Sequence, residues 1–287
     1  MRKILAAAVL FTTMALADNP DCNWGIPSHA TLKYRFDKGI GYQDGYGTVE
    51  GFLTPKWDRD IQPFIDARGH MFNDGRTAAN LGFGSRFNLP STWVIGGNFF
   101  YDFRDVKVLN STSQISAGFE AFHQYFDFRL SGYYPVGSPR KSVKTNTDIK
   151  ASIALPSIFG SLGFPIPTWD FMELYFAFGP YYLVERTKSD IDCGGSFGAF
   201  TRLSAKVYDG ITIGVDGTFD GTFHAIAQGF IAITFPWGPA QLVKNDNRWR
   251  SWFPSSSCKS EALIRRRMQS AVWHNEIIPV CTGSRKR

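Results

Sequence analysis

Apolar and polar side chains alternate strictly along several parts of this chain, and this pattern limits its possible folds more than any other feature. From Trp93 to Arg104 one parity carries aromatic, aliphatic and glycine residues, whereas the other includes Asn98, Asp102 and Arg104. A period of two sustained over this length is that of a β-strand with one apolar face. The same clear alternation occurs over residues 79–89, 126–134 and 211–219.

Weaker alternation predicts eight further strands, at about 30–37, 45–54, 61–71, 113–122, 146–155, 172–184, 195–207 and 223–235. Stretches rich in Gly, Pro, Asp and Asn separate these segments, so we expect neighbouring strands to pair as antiparallel hairpins. An even number of strands of about ten residues is typical of a transmembrane barrel, because closure satisfies every backbone group in lipid.

The predicted fold is therefore all-β: a transmembrane antiparallel up-and-down β-barrel of about 12 strands over residues 29–236, followed by a short tail. The 16% aromatic and 20% charged composition agrees with strands better than with a helical bundle. A soluble sandwich or ligand-binding barrel stays open as an alternative, because alternation alone does not say which face points inward.

The polar faces of these strands carry cations and anions in balance. In a membrane barrel they would turn towards the lumen and form a structural network of ion pairs, which favours neither anions nor cations strongly. The residues predicted for this network are Arg35, Asp66, Arg68, Arg86, Asp102, Arg104, Glu120, Asp127, Arg129, Asp148, Lys150, Arg202 and Asp216.

Aromatic residues separate towards the two ends of the predicted barrel, as expected for girdles at the two membrane interfaces. The tryptophans Trp57, Trp93, Trp169 and Trp237 fall at the end shared with the N-terminus. The tyrosines at the other end are Tyr42, Tyr46, Tyr101, Tyr133, Tyr134 and Tyr182, of which Tyr101, Tyr134 and Tyr182 are predicted to contact the lipid interface.

The two ends of the chain differ from its middle. Residues 1–17 combine a basic start, an apolar run and small residues before Asp18, the layout of a cleavable signal peptide. Residues 18–28 are then a periplasmic N-terminal segment. Residues 18–243 carry 19 cations and 22 anions, whereas residues 244–287 carry 10 and 3. No uniformly basic surface for nucleic acid follows from this distribution, so we predict no nucleic-acid partner.

Chemistry-bearing motifs are sparse. The segment 194–198 (Gly-Gly-Ser-Phe-Gly) matches GxSxG, but Ser196 lies in a predicted strand without the strand-to-helix elbow that exposes a nucleophile. His70 shares a polar face with Asp66 and Arg68, which favours a place in the lumen network. The sequence therefore predicts no catalytic residue, no metal ligand, no cofactor and no enzymatic activity.

Cysteines remain in the exported part of the chain without a CxxC pair and without a histidine at zinc spacing: Cys22, Cys193, Cys258 and Cys281. An oxidising compartment permits disulfides, and the sequence leaves their pairing open.

Five alternating segments carry a more specific likeness: 80–87, 93–102, 114–120, 128–135 and 148–156. In residues, order and spacing they resemble successive strands of the inverse autotransporter barrel, the membrane domain of intimin and invasin. The resemblance is strongest over about 61–156 and extends over 29–236. It implies a twelve-stranded barrel in the outer membrane of a Gram-negative-type cell, surrounded by outer-membrane lipid and inserted by the barrel-assembly machinery.

In that family the chain passes back through the pore to display adhesive domains outside the cell. After Pro236 only 51 residues remain in this sequence, so adhesion through such domains is not expected.

The tail, 237–287, is basic and contains a predicted short helix over 260–273 with Arg265, Arg266 and Arg267. Its segment 276–280 (Glu-Ile-Ile-Pro-Val) resembles the segment that follows the barrel in some relatives. Two positions are open for this tail: it plugs or partly enters the pore, or it lies free in the periplasm.

Three functions follow as alternatives. The first is an integral outer-membrane protein that acts as a narrow pore or surface anchor. The second is an adhesin-like protein that binds a host or surface partner through extracellular loops at about 38–44, 72–76, 105–112, 135–145 and 186–192. The third and weakest is a barrel hydrolase that uses Ser196 and His70.

Overall fold

The structure is a computed structural model that describes residues 28–55, 60–89, 93–106, 110–137, 140–144, 148–166, 172–188, 191–208, 210–236 and 276–286. Its strands are β1 (His29–Arg35), β2 (Tyr46–Leu53), β3 (Ile61–Phe72), β4 (Thr77–Leu89), β5 (Trp93–Val106), β6 (Asn110–Phe122), β7 (Asp127–Val136), β8 (Arg140–Lys144), β9 (Asp148–Ala154), β10 (Ser157–Ile166), β11 (Glu173–Leu183), β12 (Arg186–Lys188), β13 (Ile191–Cys193), β14 (Ser196–Tyr208), β15 (Ile211–Asp220), β16 (His224–Pro236) and β17 (Val280–Lys286).

Twelve of these strands form a closed antiparallel barrel in the order β1-β2-β3-β4-β5-β6-β7-β10-β11-β14-β15-β16. Closure comes from β1, which pairs with β2 on one side and with β16 on the other, so that His29 lies opposite Pro236. We call the end of the barrel where β1 begins the near rim and the opposite end the far rim. The predicted all-β, twelve-stranded architecture is thus confirmed.

The orientation of the strands decides between the two directions that periodicity alone left open, and it agrees with the membrane barrel that the aromatic and charged residues favoured. The outward face is apolar: Phe99 and Leu130 expose 39% and 44% of their surface, whereas Arg86 and Asp66 on the inward face are fully buried. A barrel with an apolar outside and a polar inside is suited to lipid and not to water. The soluble sandwich or ligand-binding barrel is therefore wrong.

One of the twelve segments predicted as barrel strands forms a strand of a different sheet. The segment 146–155 contains β9, which is not a barrel strand but the middle of a three-stranded sheet, β17-β9-β8, beyond the far rim. The strand β10 takes its place in the barrel between β7 and β11. The alternation of β10 is weak in sequence, because glycines and Pro165 interrupt it. Asp148 and Lys150, predicted for the lumen network, thus lie in β9 and outside the barrel sheet.

The tyrosine girdle needs a similar correction. Tyr101, Tyr134 and Tyr182 are exposed on the outer face. The buried tyrosines, Tyr42, Tyr46 and Tyr133, face the interior and cannot contact the lipid interface. Tyr133 and Tyr134 are neighbours on one strand and so point to opposite faces. Trp93 begins β5 at the near rim and is half-buried; Trp57, Trp169 and Trp237 lie outside the described residues.

An apolar cluster fills the interior towards the near rim, formed by Phe52, Phe64, Val94, Phe100 and Phe122. Arg86 lies among these rings, with its guanidinium carbon 5.0 Å from the centroid of Phe64, and its Nε is 2.6 Å from Glu120 Oε1. Because the charge is both paired and covered by aromatic faces, it is tolerated inside the apolar cluster. The described residues contain no helix long and apolar enough to cross a bilayer.

Candidate functional site

The candidate functional site is the barrel lumen between the apolar cluster and the far rim. Charged side chains from adjacent strands meet there because their positions share the inward parity. On β3, Arg68 donates to both carboxylate oxygens of Asp66, at 3.0 and 2.6 Å, and lies 3.7 Å from Glu50 on β2. These three side chains are almost fully buried, so each charge requires the partners that the neighbouring strand supplies.

A second group of ion pairs lies across the lumen. Arg202 on β14 and Asp216 on β15 are register partners, and Arg202 donates two hydrogen bonds to the Asp216 carboxylate, at 2.5 and 2.7 Å. Arg35 on β1 binds the same carboxylate at 2.5 Å. Asp216 thus links strands that are not adjacent in the barrel, which braces the wall from within.

Two further carboxylates of the wall, Asp127 and Asp102, each accept hydrogen bonds from two side chains. Arg129 donates to Asp127 at 2.9 Å, and Tyr175 donates to the same carboxylate at 2.8 Å. Asp102 accepts from Asn80 and Gln114, at 2.8 and 2.9 Å.

The C-terminal segment 276–280 lies inside this lumen, and Glu276 is the centre of its contacts. The Glu276 carboxylate binds Lys33, lies 3.4 Å from Arg68 and 3.6 Å from Arg35, and accepts a hydrogen bond from the Tyr46 hydroxyl at 3.0 Å. These partners come from β1, β2 and β3. A buried carboxylate surrounded by three cations is stable where it is, whereas the same cations without it would repel one another.

Hydrogen bonds from the wall fix the backbone of the same segment. The Asn80 amide donates to the Glu276 carbonyl at 3.0 Å, and Arg104 donates to the Ile278 carbonyl at 2.5 Å. The backbone N–H of Leu155 donates to the Pro279 carbonyl at 3.0 Å. Three carbonyl groups that would otherwise lose water on entering the lumen are therefore satisfied.

Apolar contacts alternate with these polar ones. Ile277 packs in a buried cluster with Tyr42, Tyr46, Phe72 and Ala78. Ile278 and Val280 pack in another with Val106 and Ala154. Gly41, with φ of +78°, lies against the segment, and a Cβ atom at this position would clash with the backbone of Pro279 and Val280. The absence of a side chain at Gly41 is what allows so close an approach.

Beyond the lumen the segment becomes a strand. In β17, Val280 lies opposite Ala154 and Lys286 lies opposite Asp148, so the C-terminal residues add an antiparallel strand to the β8–β9 hairpin. A disulfide joins Cys281 of this strand to Cys193 of β13, with 6.1 Å between the Cα atoms. The pairing that the sequence left open is therefore determined for these two cysteines, while Cys22 and Cys258 lie outside the described residues.

Beside the segment 276–280 the lumen contains a cavity of about 120 Å³, which Glu276 also lines. Charged and aromatic side chains border this cavity, including Arg129, Arg202, Asp216, Tyr133, Phe159 and Phe200. The volume of this cavity lies below the roughly 300–1,000 Å³ that is usual for ligand pockets, at about two fifths of the lower limit.

The predicted network residues are thus placed as follows. The structure brings Arg35, Arg68 and Asp216 to the lumen beside the tail, and pairs Arg86 with Glu120 nearer the near rim. Arg104 faces the lumen too, but its described hydrogen bond goes to the tail backbone. Contacts that the sequence analysis did not identify involve Lys33, Tyr46, Asn80 and Glu276. From the sequence, the segment 276–280 stands out only by its resemblance to the segment that follows the barrel in some relatives.

Several predictions concern residues that the structure does not describe. These are the signal peptide at 1–17, nearly all of the segment 18–28, the helix at 260–273 and the arginines Arg265, Arg266 and Arg267.

The two residues considered for a hydrolase are engaged elsewhere. The Ser196 hydroxyl accepts a hydrogen bond from the backbone N–H of Gly221 at 2.7 Å. His70 is bound through its two ring nitrogens, to Thr48 at 2.9 Å and to Asn80 at 2.6 Å. Within the described part of the chain, no group of three or more His, Cys, Asp or Glu side chains is arranged to hold a metal ion.

Comparison with known proteins agrees with this geometry. Residues 60–155 match the model of the inverse autotransporter β-domain, a stretch that runs from just before β3 to just after β9. No curated protein matches the sequence.

One solved structure shares the fold at low sequence identity, and two others give weaker matches. A structure from work on the mechanism of in-meso crystallization of membrane proteins has a TM-score of 0.61 at 16% identity, and the match covers 89% of this chain and 100% of that one. The translocator domain of the autotransporter NalP from Neisseria meningitidis has a TM-score of 0.43 at 10% identity, covering 74% and 89%. The β-domain of the Bordetella autotransporter BrkA has a TM-score of 0.39 at 8% identity, covering 75% and 100%.

The resemblance seen in the sequence is thus confirmed over residues 60–155. The barrel that contains this stretch is closed and has an apolar outer face, as a lipid environment requires. The protein is an outer-membrane β-barrel, and its residues 60–155 are similar to the inverse autotransporter β-domain.

Proposed function

We propose that this barrel is a non-enzymatic surface anchor that holds its own C-terminal segment across the lumen and is closed by it. The observation that carries the proposal is the position of Glu276, which is buried between Lys33, Arg35 and Arg68. The three cations come from two strands of the wall, and the carboxylate comes from a residue more than 200 positions further along the chain. This complementarity supports a segment that belongs in the lumen.

The direction of the segment supports an anchor that leads to the far side of the membrane. The strand β16 ends at the near rim, Glu276 lies in the lumen, and β17 pairs with β9 at the far rim. Passage of the chain back through the pore is also what the inverse autotransporter resemblance implies. Insertion by the barrel-assembly machinery into outer-membrane lipid follows from the same resemblance.

Closure is the second part of the proposal. The cavity beside the tail, at about 120 Å³, has little room for a solute. The hydrogen bonds of Ser196 and His70 support a role without hydrolysis, because neither side chain is positioned as the partner of the other.

Conductance tests the anchor and its closure. We expect the full chain in a planar bilayer to show small, rare current steps, and a chain that ends at residue 275 to show larger and more frequent steps, because the lumen contacts of residues 276–286 are then lost. Both proteins must first show the change in electrophoretic mobility on boiling that identifies a closed barrel. Equal conductance of the two folded proteins would contradict the proposal.

Binding through the loops is a second proposal, supported by one observation. Two far-rim connections contain their own strands, β8–β9 and β12–β13, and the disulfide joins the second of these to β17. Such ordered connections suit recognition of a host or surface partner. Replacement of the 135–145 loop, which contains β8, by Gly and Ser should then abolish attachment to cells while heat-modifiable mobility is retained; attachment at the original level would exclude that loop.

A further inference from the structure

The Cys193–Cys281 disulfide joins the barrel wall to the segment that crosses the lumen. Cys193 ends the β12–β13 hairpin, which connects the barrel strands β11 and β14, and Cys281 is the second residue of β17. The two cysteines are 88 positions apart. They meet because residues 276–280 have already passed along the lumen to the far rim. The bond therefore depends on the crossing.

Both cysteines of the disulfide pack against one hydrophobic cluster. Cys193 is buried in a cluster with Ile153, Leu155, Tyr181 and Leu183, and Cys281 packs against this cluster. The cluster combines the sheet beyond the far rim with barrel strand β11. A disulfide at this point fastens β17 to a part of the fold that is itself well packed.

Non-covalent contacts lie on both sides of Cys281. On the lumen side are the contacts of Glu276 and the carbonyl hydrogen bonds, and on the other side is the β17–β9 ladder. Each of these opens and closes by thermal fluctuation. The disulfide differs from them, because it opens by thiol–disulfide exchange alone.

We infer that the Cys193–Cys281 disulfide is a covalent lock that keeps the segment 276–281 across the lumen, so that the barrel stays closed until a thiol reductant opens it. The inference rests on the proposed function. The chain leaves the barrel at the near rim with Pro236, Glu276 binds within the lumen, and the disulfide attaches Cys281 at the far rim. A segment tethered at the far rim cannot withdraw towards the near rim.

Opening the lock is a two-electron reduction, which a dithiol such as dithiothreitol supplies. Its thiolate attacks one sulfur atom of the protein disulfide, breaks the Sγ–Sγ bond and forms a mixed disulfide with one cysteine. The second thiol of the reductant then displaces that cysteine. Cys193 and Cys281 end as thiols with the two protons, and the reductant ends as a cyclic disulfide.

The test uses the full chain in a planar bilayer, oxidised and after treatment with dithiothreitol, with maleimide labelling to verify that both thiols have formed. We expect the open probability to rise at least about tenfold on reduction, because loss of the second tether lowers the effective concentration of the segment at its site. The matched control is the double variant Cys193→Ser with Cys281→Ser. It should be as open as the reduced protein and should not respond to dithiothreitol, which also reports any effect that arises from Cys22 or Cys258.

An open probability that stays the same after verified reduction would overturn the lock. If, in addition, the chain that ends at residue 275 conducts no more than the full chain, the proposed closure itself fails. If that shortened chain conducts more while the reduced full chain does not, closure stands and the lock alone fails.

Discussion

Glu276 shows how one residue decides the path of a chain segment. Its carboxylate meets Lys33, Arg35 and Arg68, which the barrel folds towards the same point of the lumen. Asp216 and Asp66 also pair with Arg35 and Arg68, but the described ion pair of Lys33 is with Glu276, so the wall favours a segment that brings a carboxylate to this level. The pairing cannot be predicted from local sequence, because the partners are separated by more than 200 residues and no periodicity links them.

Substitution of Glu276 is the direct check at this scale. We expect Glu276→Gln to raise the open probability of the pore and to weaken docking of the segment by about 3–5 kcal/mol, since Lys33 then loses the carboxylate that it binds, and Arg35 and Arg68 keep only their other anions. The matched control is Glu185→Gln, because Glu185 is exposed near the far rim. Bilayer conductance and the denaturant midpoint in detergent would measure both effects. A Glu276→Gln protein with the conductance of the Glu185→Gln protein would contradict the assignment.

Arg86 and Glu120 allow a second check, on the stability of the barrel rather than on the tail. Arg86→Met leaves Glu120 buried without its cation and should lower the free energy of unfolding by about 3–5 kcal/mol. The double variant Arg86→Met with Glu120→Met removes both charges and should recover most of that loss. Reversible unfolding in detergent micelles measures the three proteins. Additive losses in the double variant would show that the two side chains do not act as a pair.

At the scale of elements, periodicity predicted strands reliably but not the sheet to which each strand belongs. Alternation in the segment 146–155 correctly indicated a strand, yet β9 pairs with β8 and β17 instead of joining the barrel. The strand β10 was not predicted, because its glycines interrupt the alternation of apolar and polar residues. Its outward residues Ile158, Leu162 and Phe164 are nevertheless apolar. Partner choice depends on contacts with strands that are distant in sequence, which a local pattern does not contain.

The segment 276–280 lies against the loop between β1 and β2, and this contact can be tested by substitution. Gly41 has φ of +78° and lies against Pro279 and Val280, whereas Gly75 has φ of +84° and has no atom near its missing Cβ. Alanine at either position meets the same backbone strain, but only Gly41→Ala also pushes the tail away. We expect Gly41→Ala to increase conductance and Gly75→Ala to leave it unchanged. If the two variants behave alike, the close approach at Gly41 has no role in closure.

At the scale of the whole molecule, the apolar outer face determines where the protein is stable. An arginine placed on this face should cost more deep in the membrane than at its edge. We expect Leu130→Arg, in the first half of β7, to lower stability by about 2–4 kcal/mol, and Tyr134→Arg, close to the far end of the same strand, by at most about 1 kcal/mol. Unfolding in lipid vesicles measures both. Equal costs would contradict the depth that the barrel assigns to these positions.

The segment 276–280 also decides on which side of the membrane the following residues lie. Twelve strands return the polypeptide to the side of the membrane on which it began, as the pairing of His29 with Pro236 shows. Residues 276–280 run from within the lumen to the sheet beyond the far rim, and they are not a strand of the barrel. A domain fused after Lys286 is therefore expected on the opposite side of the membrane from Ser28, where it would be exported through the barrel of its own chain.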